Sequence, residues 1–136
     1  MADTQIGTSL EGKKVMWVED DNFLSGLIGK KLAHEKAILF SANNGEDAVV
    51  MIEKEHPDVL LLDILLPGIT GLQVLQKIKS NPTTKDIPVL LLSNLGQKAD
   101  IDKGAQLGAE KFLIKATLSL DEIVREVKSV IAKKTV

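Results

Sequence analysis

Residues 58–71, DVLLLDILLPGITG, decide the fold. Positions 59–62 are apolar in succession rather than in alternation, which is typical of a strand covered on both faces in a parallel sheet. The apolar run ends at Asp63, which is therefore predicted at the end of the strand. The Pro-Gly pair at 67–68 predicts a turn before a helix that begins near Thr70. Ligands bind such sheets beyond the carboxyl ends of the strands. Asp63 is therefore the first candidate for a functional residue.

The same unit of strand and helix recurs along the chain. Further apolar runs are predicted as strands at residues 15–18, 37–42, 87–92 and 111–114. Helical periodicity follows every run, and the apolar face of the first helix is predicted to consist of Phe23, Leu24, Leu27, Ile28 and Leu32. The pairs Thr70 with Gln73 and Ser119 with Glu122 predict capping boxes, and Asn44 with Asp47 resembles one. Five such units with right-handed crossovers predict an α/β domain with a doubly wound parallel sheet. The weakest predicted helix, residues 97–107, contains Gly104, so we expect it to be the most mobile.

Composition limits the class of protein. The 136 residues suffice for one domain, with residues 1–12 predicted as a flexible N-terminal arm and residues 13–136 as the folded domain. No cysteine is present, and two separate histidines argue against a zinc site. The net charge of −2, with one Trp and three Phe, gives no support for nucleic-acid binding. Without a signal peptide or an apolar run of membrane-spanning length, we expect a cytoplasmic protein that does not insert into membranes.

Charged and polar residues follow four of the predicted strands. Because parallel strands bring their carboxyl ends to one edge, Glu19, Asp20, Asp63, Ser93 and Lys115 are expected to converge. Each alone has a simpler interpretation, as a helix cap, a turn residue or a surface lysine. As an ordered set they indicate more, since close carboxylates repel unless a cation lies among them and oxygen ligands suit Mg²⁺. A free carboxylate, a hydroxyl and an ammonium are the groups that phosphoryl transfer requires.

Four motifs then carry a family resemblance: VEDD (18–21), LLDILLPGITG (61–71), PVLLLSN (88–94) and GAEKFLIK (108–115). In this order and spacing, over roughly residues 14–132, the chain resembles the receiver domain of two-component response regulators. The resemblance implies a flavodoxin-like fold with strand order 2-1-3-4-5 and five helices. It also implies a phospho-acceptor switch, not an enzyme beyond phosphorylating itself from small donors and dephosphorylating itself. Because no output domain follows Val136, we expect the switch to stand alone and to act through protein contacts.

The resemblance assigns roles to individual residues. Asp63 would accept the phosphoryl group, and Lys115 would contact it. Mg²⁺, or Mn²⁺ in its place, would be held by Asp20, Asp63 and the main-chain carbonyl of Leu65, with Glu19 acting through a water molecule. Ser93 would donate its hydroxyl to the phosphoryl group.

Signalling would follow from movement of Ser93, which lets Phe112 rotate inward and remodels the face formed by helix four, strand five and helix five. The partners implied are a histidine kinase or histidine phosphotransfer protein as donor and an unknown downstream protein as target. Dimerisation on phosphorylation is left open.

The chain departs from the family pattern at two positions. Ala116 stands where proline commonly follows the lysine, and Asn94 stands where a small residue usually follows the serine. Leu65, Asn94 and Leu95 would control the approach of water to the phosphoryl group. Because the two leucines offer no group to orient that water, we expect slow self-hydrolysis.

Other functions remain open at this point. One is a phosphorylation-independent interaction module on the same fold. This alternative remains open because Asn94 and Ala116 depart from the family pattern. A metal-dependent phosphohydrolase of the haloacid dehalogenase type would need an Asp two residues after the nucleophile, where this chain has Leu65. A flavin-binding protein would need a phosphate-binding loop after the first strand, where acids stand instead.

Overall fold

The computed structural model describes residues 9–135, and side chains as far as residue 133. Five parallel strands form one sheet in the order β2-β1-β3-β4-β5. The elements are β1 (Lys14–Val18), α1 (Asn22–Ala33), β2 (Ile38–Ala42), α2 (Gly45–Glu55), β3 (Val59–Asp63), α3 (Gly71–Ser80), β4 (Val89–Ser93), α4 (Lys98–Gln106), β5 (Lys111–Ile114), a 3-10 turn (Lys115–Thr117) and α5 (Leu120–Thr135). The predicted doubly wound, flavodoxin-like fold is confirmed.

The sheet separates two hydrophobic cores, as a run of consecutive apolar residues requires. All residues of β3 and β4 are buried. Along β1, Val15 and Trp17 face the core beneath α1 and α5, whereas Met16 and Val18 face the core beneath α2 and α3. Helices therefore cover both faces, and the carboxyl edge of the sheet lies between the two layers.

Helix starts follow the predicted capping signals in most cases. Thr70 and Gln73 exchange both bonds of a capping box, and Ser119 and Glu122 do the same at α5. At α2, Asn44 accepts a bond from the backbone of Asp47, but the returning bond comes from the Asn44 side-chain amide rather than from its backbone. That pair is a simple N-cap, because a capping box requires the backbone donor.

Packing departs from the sequence-based expectation at both ends of the β1–α1 unit. Leu10, within the predicted arm of residues 1–12, is fully buried in the core beneath α1 and α5. Residues 1–8 of that arm lie outside the described residues. Phe23, expected on the buried face of α1, has 78% of its surface exposed. One helix face cannot bury Phe23 together with Leu24, Ile28 and Leu32, because these apolar residues span too wide an arc.

Helix α4 is the most lightly packed helix, as predicted. Gly104 is its one fully buried residue, and Gln97 caps it without a side-chain hydrogen bond. A Cβ at position 104 would lie 2.5 Å from Cδ1 of Leu91 on β4. The glycine therefore permits close packing of the helix on the sheet, as well as weakening the helix itself.

No helix within residues 9–135 has both the length and the apolar character needed to cross a membrane.

Candidate functional site

Three carboxylates meet at the carboxyl edge of the sheet. Glu19 and Asp20 follow β1, and Asp63 is the last residue of β3. One carboxylate oxygen from each residue lies within 4.8 Å of the other two. Glu19 and Asp63 are buried, and Asp20 is exposed. A cluster of oxygen ligands with one open side suits a hard divalent cation such as Mg²⁺, which keeps several of its water ligands.

The backbone around Glu19 explains why a glutamate is buried here. Its N–H donates to the carbonyl of Ala42 on β2 at 3.1 Å, which continues the sheet beyond β1. Its Oε2 accepts the N–H of Asp21 at 3.1 Å, at the start of α1. Burial raises the pKa of Glu19, and hydrogen bonds from Lys115 and Asp21 offset that rise only in part.

Lys115 links two of the three acids. Its Nζ donates to Oε1 of Glu19 at 2.5 Å and to Oδ2 of Asp63 at 2.8 Å. Burial lowers the pKa of Lys115, but the bonds to Asp63 and Glu19 outweigh burial, so the pKa lies above its ordinary value. The lysine therefore remains an ammonium and neutralises charge in a cluster that has an excess of carboxylates.

The lysine is presented by the turn that follows β5. Lys115 begins the 3-10 turn, and Thr117 donates its hydroxyl to the carbonyl of Ile114 at 3.1 Å. No cis peptide bond occurs within the described residues, so the Lys115–Ala116 bond is trans. The lysine reaches the acids although alanine, and not proline, follows it.

The loop from β3 to α3, residues 64–70, packs closely around Asp63. Oδ1 of Asp63 accepts the N–H of Leu65 at 3.1 Å, and Gly71 N–H donates to the carbonyl of Ile64 at 2.8 Å. A Cβ at Gly71 would lie 2.1 Å from the carbonyl oxygen of Asp63. Only glycine allows α3 to begin this close to the strand end.

Ser93 ends β4 on the far side of Asp63 from β1. Asp63 pairs in register with Leu92, so Ser93 comes one residue beyond that pair. Ser93 is buried, and its Oγ accepts the N–H of Leu95 at 3.3 Å. Asn94 is exposed in the loop that follows. The serine is thus at the same sheet edge as the acids, with its hydroxyl held by its own loop.

Phe112 lies one strand further out, on β5, where it pairs in register with Leu91. Its ring is half-buried against the core beneath α2 and α3. It also lines a groove of about 180 Å³ between α4 and β5, together with Ile101 and Gly104. The ring therefore has open space beside it, next to the most lightly packed helix.

Large apolar side chains are exposed on three segments next to the acidic cluster. They are Phe23 in the first turn of α1, Leu65 in the β3–α3 loop and Leu95 in the β4–α4 loop, each more than 60% exposed. Each segment follows a strand that ends at the site. No sequence pattern groups Phe23 with the two leucines, because its spacing also fits a buried face.

Glu46 is a second residue that the sequence did not single out. It lies in the first turn of α2, where acids commonly favour the helix dipole. Its Oε2 accepts the N–H of Ile69 in the β3–α3 loop at 3.2 Å. Nothing in the sequence reveals this contact, because it joins two segments that are 23 residues apart.

The domain thus combines a five-stranded parallel sheet with two acids after β1, an aspartate at the end of β3 and a lysine after β5. The family model for the response regulator receiver domain matches residues 15–128. The chain belongs to this family.

Individual relatives agree with that assignment. The response regulator PleD of Caulobacter vibrioides is 35% identical over 102 residues, which cover 75% of this chain and 22% of PleD. A crystal structure of a putative response regulator from Chloroflexus aurantiacus superposes with a TM-score of 0.82 at 30% identity, covering 90% of this chain and 99% of that one. The phosphorylated cyanobacterial phytochrome response regulator RcpA gives a TM-score of 0.75 at 31% identity, covering 88% and 91%. The chain thus spans about a fifth of the length of PleD.

Proposed function

We propose that this chain is a phospho-acceptor switch of a two-component phosphorelay, with Asp63 as the acceptor. The observation that carries the proposal is the environment of the Asp63 carboxylate. One of its oxygens accepts the Leu65 N–H, the other accepts the Lys115 ammonium, and two further acids lie beside it. A carboxylate at a strand end, beside a lysine ammonium and acids that could hold a metal ion, is suited to attack phosphorus.

The acid cluster supports a role in metal binding. Asp20, Asp63 and the main-chain carbonyl of Leu65 would hold Mg²⁺ or Mn²⁺, with Glu19 acting through a water molecule. A bound cation would neutralise charge on the phosphoryl oxygens. Among the residues described, Lys115 already supplies one positive charge to Glu19 and Asp63.

Phosphoryl transfer would place a carboxylate oxygen of Asp63 on phosphorus, while the bond from phosphorus to the donor histidine nitrogen breaks. The product is an acyl phosphate on Asp63 and a free imidazole on the donor. Lys115 would pair with the phosphoryl oxygens in place of the carboxylate. Ser93 would donate its hydroxyl, whose oxygen now accepts the N–H of Leu95 in its own loop.

The switch would follow from that hydroxyl bond. When Ser93 moves toward the phosphoryl group, the β4–α4 loop moves with it, and α4 is the helix that can follow at least cost. The groove beside Phe112 offers room for its ring to turn inward. Phosphorylation would thus shift the population of two arrangements of the α4, β5 and α5 face and so control the binding of a downstream protein.

The donor would be a histidine kinase or a histidine phosphotransfer protein in the cytoplasm. The exposed Phe23, Leu65 and Leu95 give a protein donor an apolar surface beside Asp63. The absence of cysteine accords with a reducing compartment. The family match does not favour the phosphohydrolase or the phosphorylation-independent module.

Intact-mass spectrometry after incubation with acetyl phosphate tests the proposal. With Mg²⁺ present, we expect one phosphate adduct on the wild-type protein. We expect none on Asp63→Asn and none when EDTA replaces Mg²⁺. A folded wild-type protein that gains no adduct with Mg²⁺ would exclude the acceptor function.

The metal site can be tested by thermal melting of Asp20→Asn. Removing one of three close carboxylates should raise the melting temperature of the metal-free protein and abolish the stabilisation by Mg²⁺. That stabilisation should reach about 1.4 kcal/mol in the wild type when Mg²⁺ is at about ten times its Kd. Asp21→Asn is the matched control, because asparagine caps α1 as well as aspartate does. A wild-type melting temperature that does not change when Mg²⁺ is added would refute the metal site.

The lifetime of the phosphoryl group follows from the residues that would meet the attacking water. Leu65 and Leu95 are exposed and apolar, and neither can orient that water. We therefore expect the purified phosphoprotein to decay slowly, and Leu95→Gln to accelerate that decay by supplying a polar group. The measurement is loss of the mass adduct with time after donor removal. Equal decay of the two proteins would argue against control by this position.

A further inference from the structure

The β3–α3 loop is bound to the start of α2 by a side chain that no part of the proposed chemistry uses. Oε2 of Glu46 accepts the N–H of Ile69 at 3.2 Å. The same carboxylate packs on Gly68, since a Cβ there would lie 2.3 Å from Oε1 and 2.7 Å from Oε2 of Glu46. Gly68 has a φ of +76°, so glycine is favoured there for its conformation as well as for its size.

The neighbouring residue of α2 contacts the same loop. A Cβ at Gly45 would lie 2.6 Å from the carbonyl oxygen of Ile69 and 2.4 Å from its Cγ1. Glycine at position 45 thus lets the helix start approach the loop backbone, and Glu46 bonds to that backbone. The two residues join α2 to the second half of a loop whose first residues adjoin Asp63.

We propose that Glu46 is a positioning residue, which holds this loop in the conformation where the main-chain carbonyl of Leu65 completes the metal site. This inference rests on the proposed function. A carbonyl ligand is fixed only by its own backbone, so the groups that hold that backbone act as outer-shell partners of the metal. Glu46 contacts the loop at Gly68 and Ile69, which lie three and four residues after Leu65.

Loss of Glu46 could also act in two ways that do not involve positioning of the loop, and each predicts a different result. A general electrostatic effect would arise from the removal of any negative charge on α2. A purely structural effect would change the melting temperature without changing metal affinity. Glu46 is exposed, so its loss removes no core packing.

Calorimetric titration of the full chain with Mg²⁺ tests the inference. We expect Glu46→Ala to raise the Mg²⁺ Kd about tenfold, the lower end of the range for outer-shell partners. Glu46→Gln keeps an oxygen that accepts the Ile69 N–H and should bind Mg²⁺ with nearly wild-type affinity. Glu53→Ala is the matched control, because it removes the same charge about 10 Å further along α2, from a carboxylate that contacts Asn81.

Several outcomes would overturn the inference. If Glu46→Ala binds Mg²⁺ as tightly as the wild type, Glu46 does not position the loop. If Glu46→Gln and Glu53→Ala weaken binding as much as Glu46→Ala, charge rather than positioning is responsible. If the wild type shows no Mg²⁺ binding that Asp20→Asn abolishes, the metal site fails and this inference fails with it. The first two outcomes leave the proposed function intact, and the third does not.

Discussion

Replacement of Lys115 by methionine is expected to destabilise the metal-free protein by about 3 kcal/mol at neutral pH. The Lys115 ammonium bonds to Glu19 and Asp63, whose side chains are only 2% and 6% exposed. Methionine keeps much of the apolar stem but leaves two buried carboxylates without their cation. Because a divalent cation would restore the missing charge, saturating Mg²⁺ should recover most of the lost stability.

The pH dependence of this loss follows from Glu19. Burial raises the pKa of Glu19 above its value in the unfolded chain. The folded protein therefore binds more protons between the two pKa values, and stability falls as pH rises through that interval. Loss of Lys115 removes a group that lowers this pKa, so the interval extends upward. The deficit of Lys115→Met should be largest near neutral pH and should shrink as pH falls toward the ordinary pKa of glutamate.

Lys111→Met is the matched control for Lys115→Met. Lys111 is the first residue of β5, the strand that Lys115 follows, and it pairs with Glu126, but both side chains of that pair are about a third exposed. An ion pair with that exposure contributes at most about 1 kcal/mol. Thermal melting at two pH values, with and without Mg²⁺, measures both variants. If the two variants lose equal stability, and if that loss depends on neither pH nor Mg²⁺, the assigned role of Lys115 is contradicted.

Gly71→Ala is expected to be the most damaging single methyl addition near the site. The new Cβ would lie 2.1 Å from the carbonyl oxygen of Asp63 and 2.7 Å from Cα of Ile64. Both are backbone atoms, so no side-chain rotation relieves the contact, and overpacking of this kind costs about 1–3 kcal/mol. The start of α3 must move away from β3 and take the β3–α3 loop with it. A displacement of about 1 Å at a reacting group can lower the rate about 100-fold.

Gly26→Ala provides the comparison for Gly71→Ala. Gly26 lies within α1, and a Cβ there would meet nothing within 4 Å. Alanine is favoured over glycine in a helix by up to about 1 kcal/mol, so this variant should be slightly stabilised. Melting temperature and the initial rate of adduct formation from acetyl phosphate distinguish the two. Unchanged values for Gly71→Ala would contradict the close packing described for the loop.

The sequence was sufficient for the sheet and for the residues at its edge. Consecutive apolar residues in β3 and β4 predicted strands buried on both faces, because alternation would have left one face polar. The ends of the apolar runs placed Asp63 and Lys115 at strand ends, and parallel topology then predicted that they meet at one edge of the sheet. The capping boxes at Thr70 and Ser119 could also be predicted from the sequence, because their partners lie three residues away.

Contacts between distant segments could not be predicted in the same way. Leu10 is a single apolar residue in a polar segment, so no periodicity marks it as buried. Phe23 fits a helix face by spacing, and only the width of the core decides that it stays outside. Glu46 meets the β3–α3 loop because α2 and that loop pack together, which local patterns do not encode. Gly104 indicated a weak helix, but its close approach to Leu91 depends on the height of the helix above the sheet.

The central claim is that Asp63 itself becomes an acyl phosphate. Borohydride reduction of the acetyl phosphate-treated protein, followed by peptide mapping, tests it most directly. The reagent reduces an acyl phosphate to an alcohol, so the account predicts homoserine at position 63 and unmodified Asp at positions 20 and 21. Homoserine at position 20 or 21 with position 63 unchanged would contradict the account.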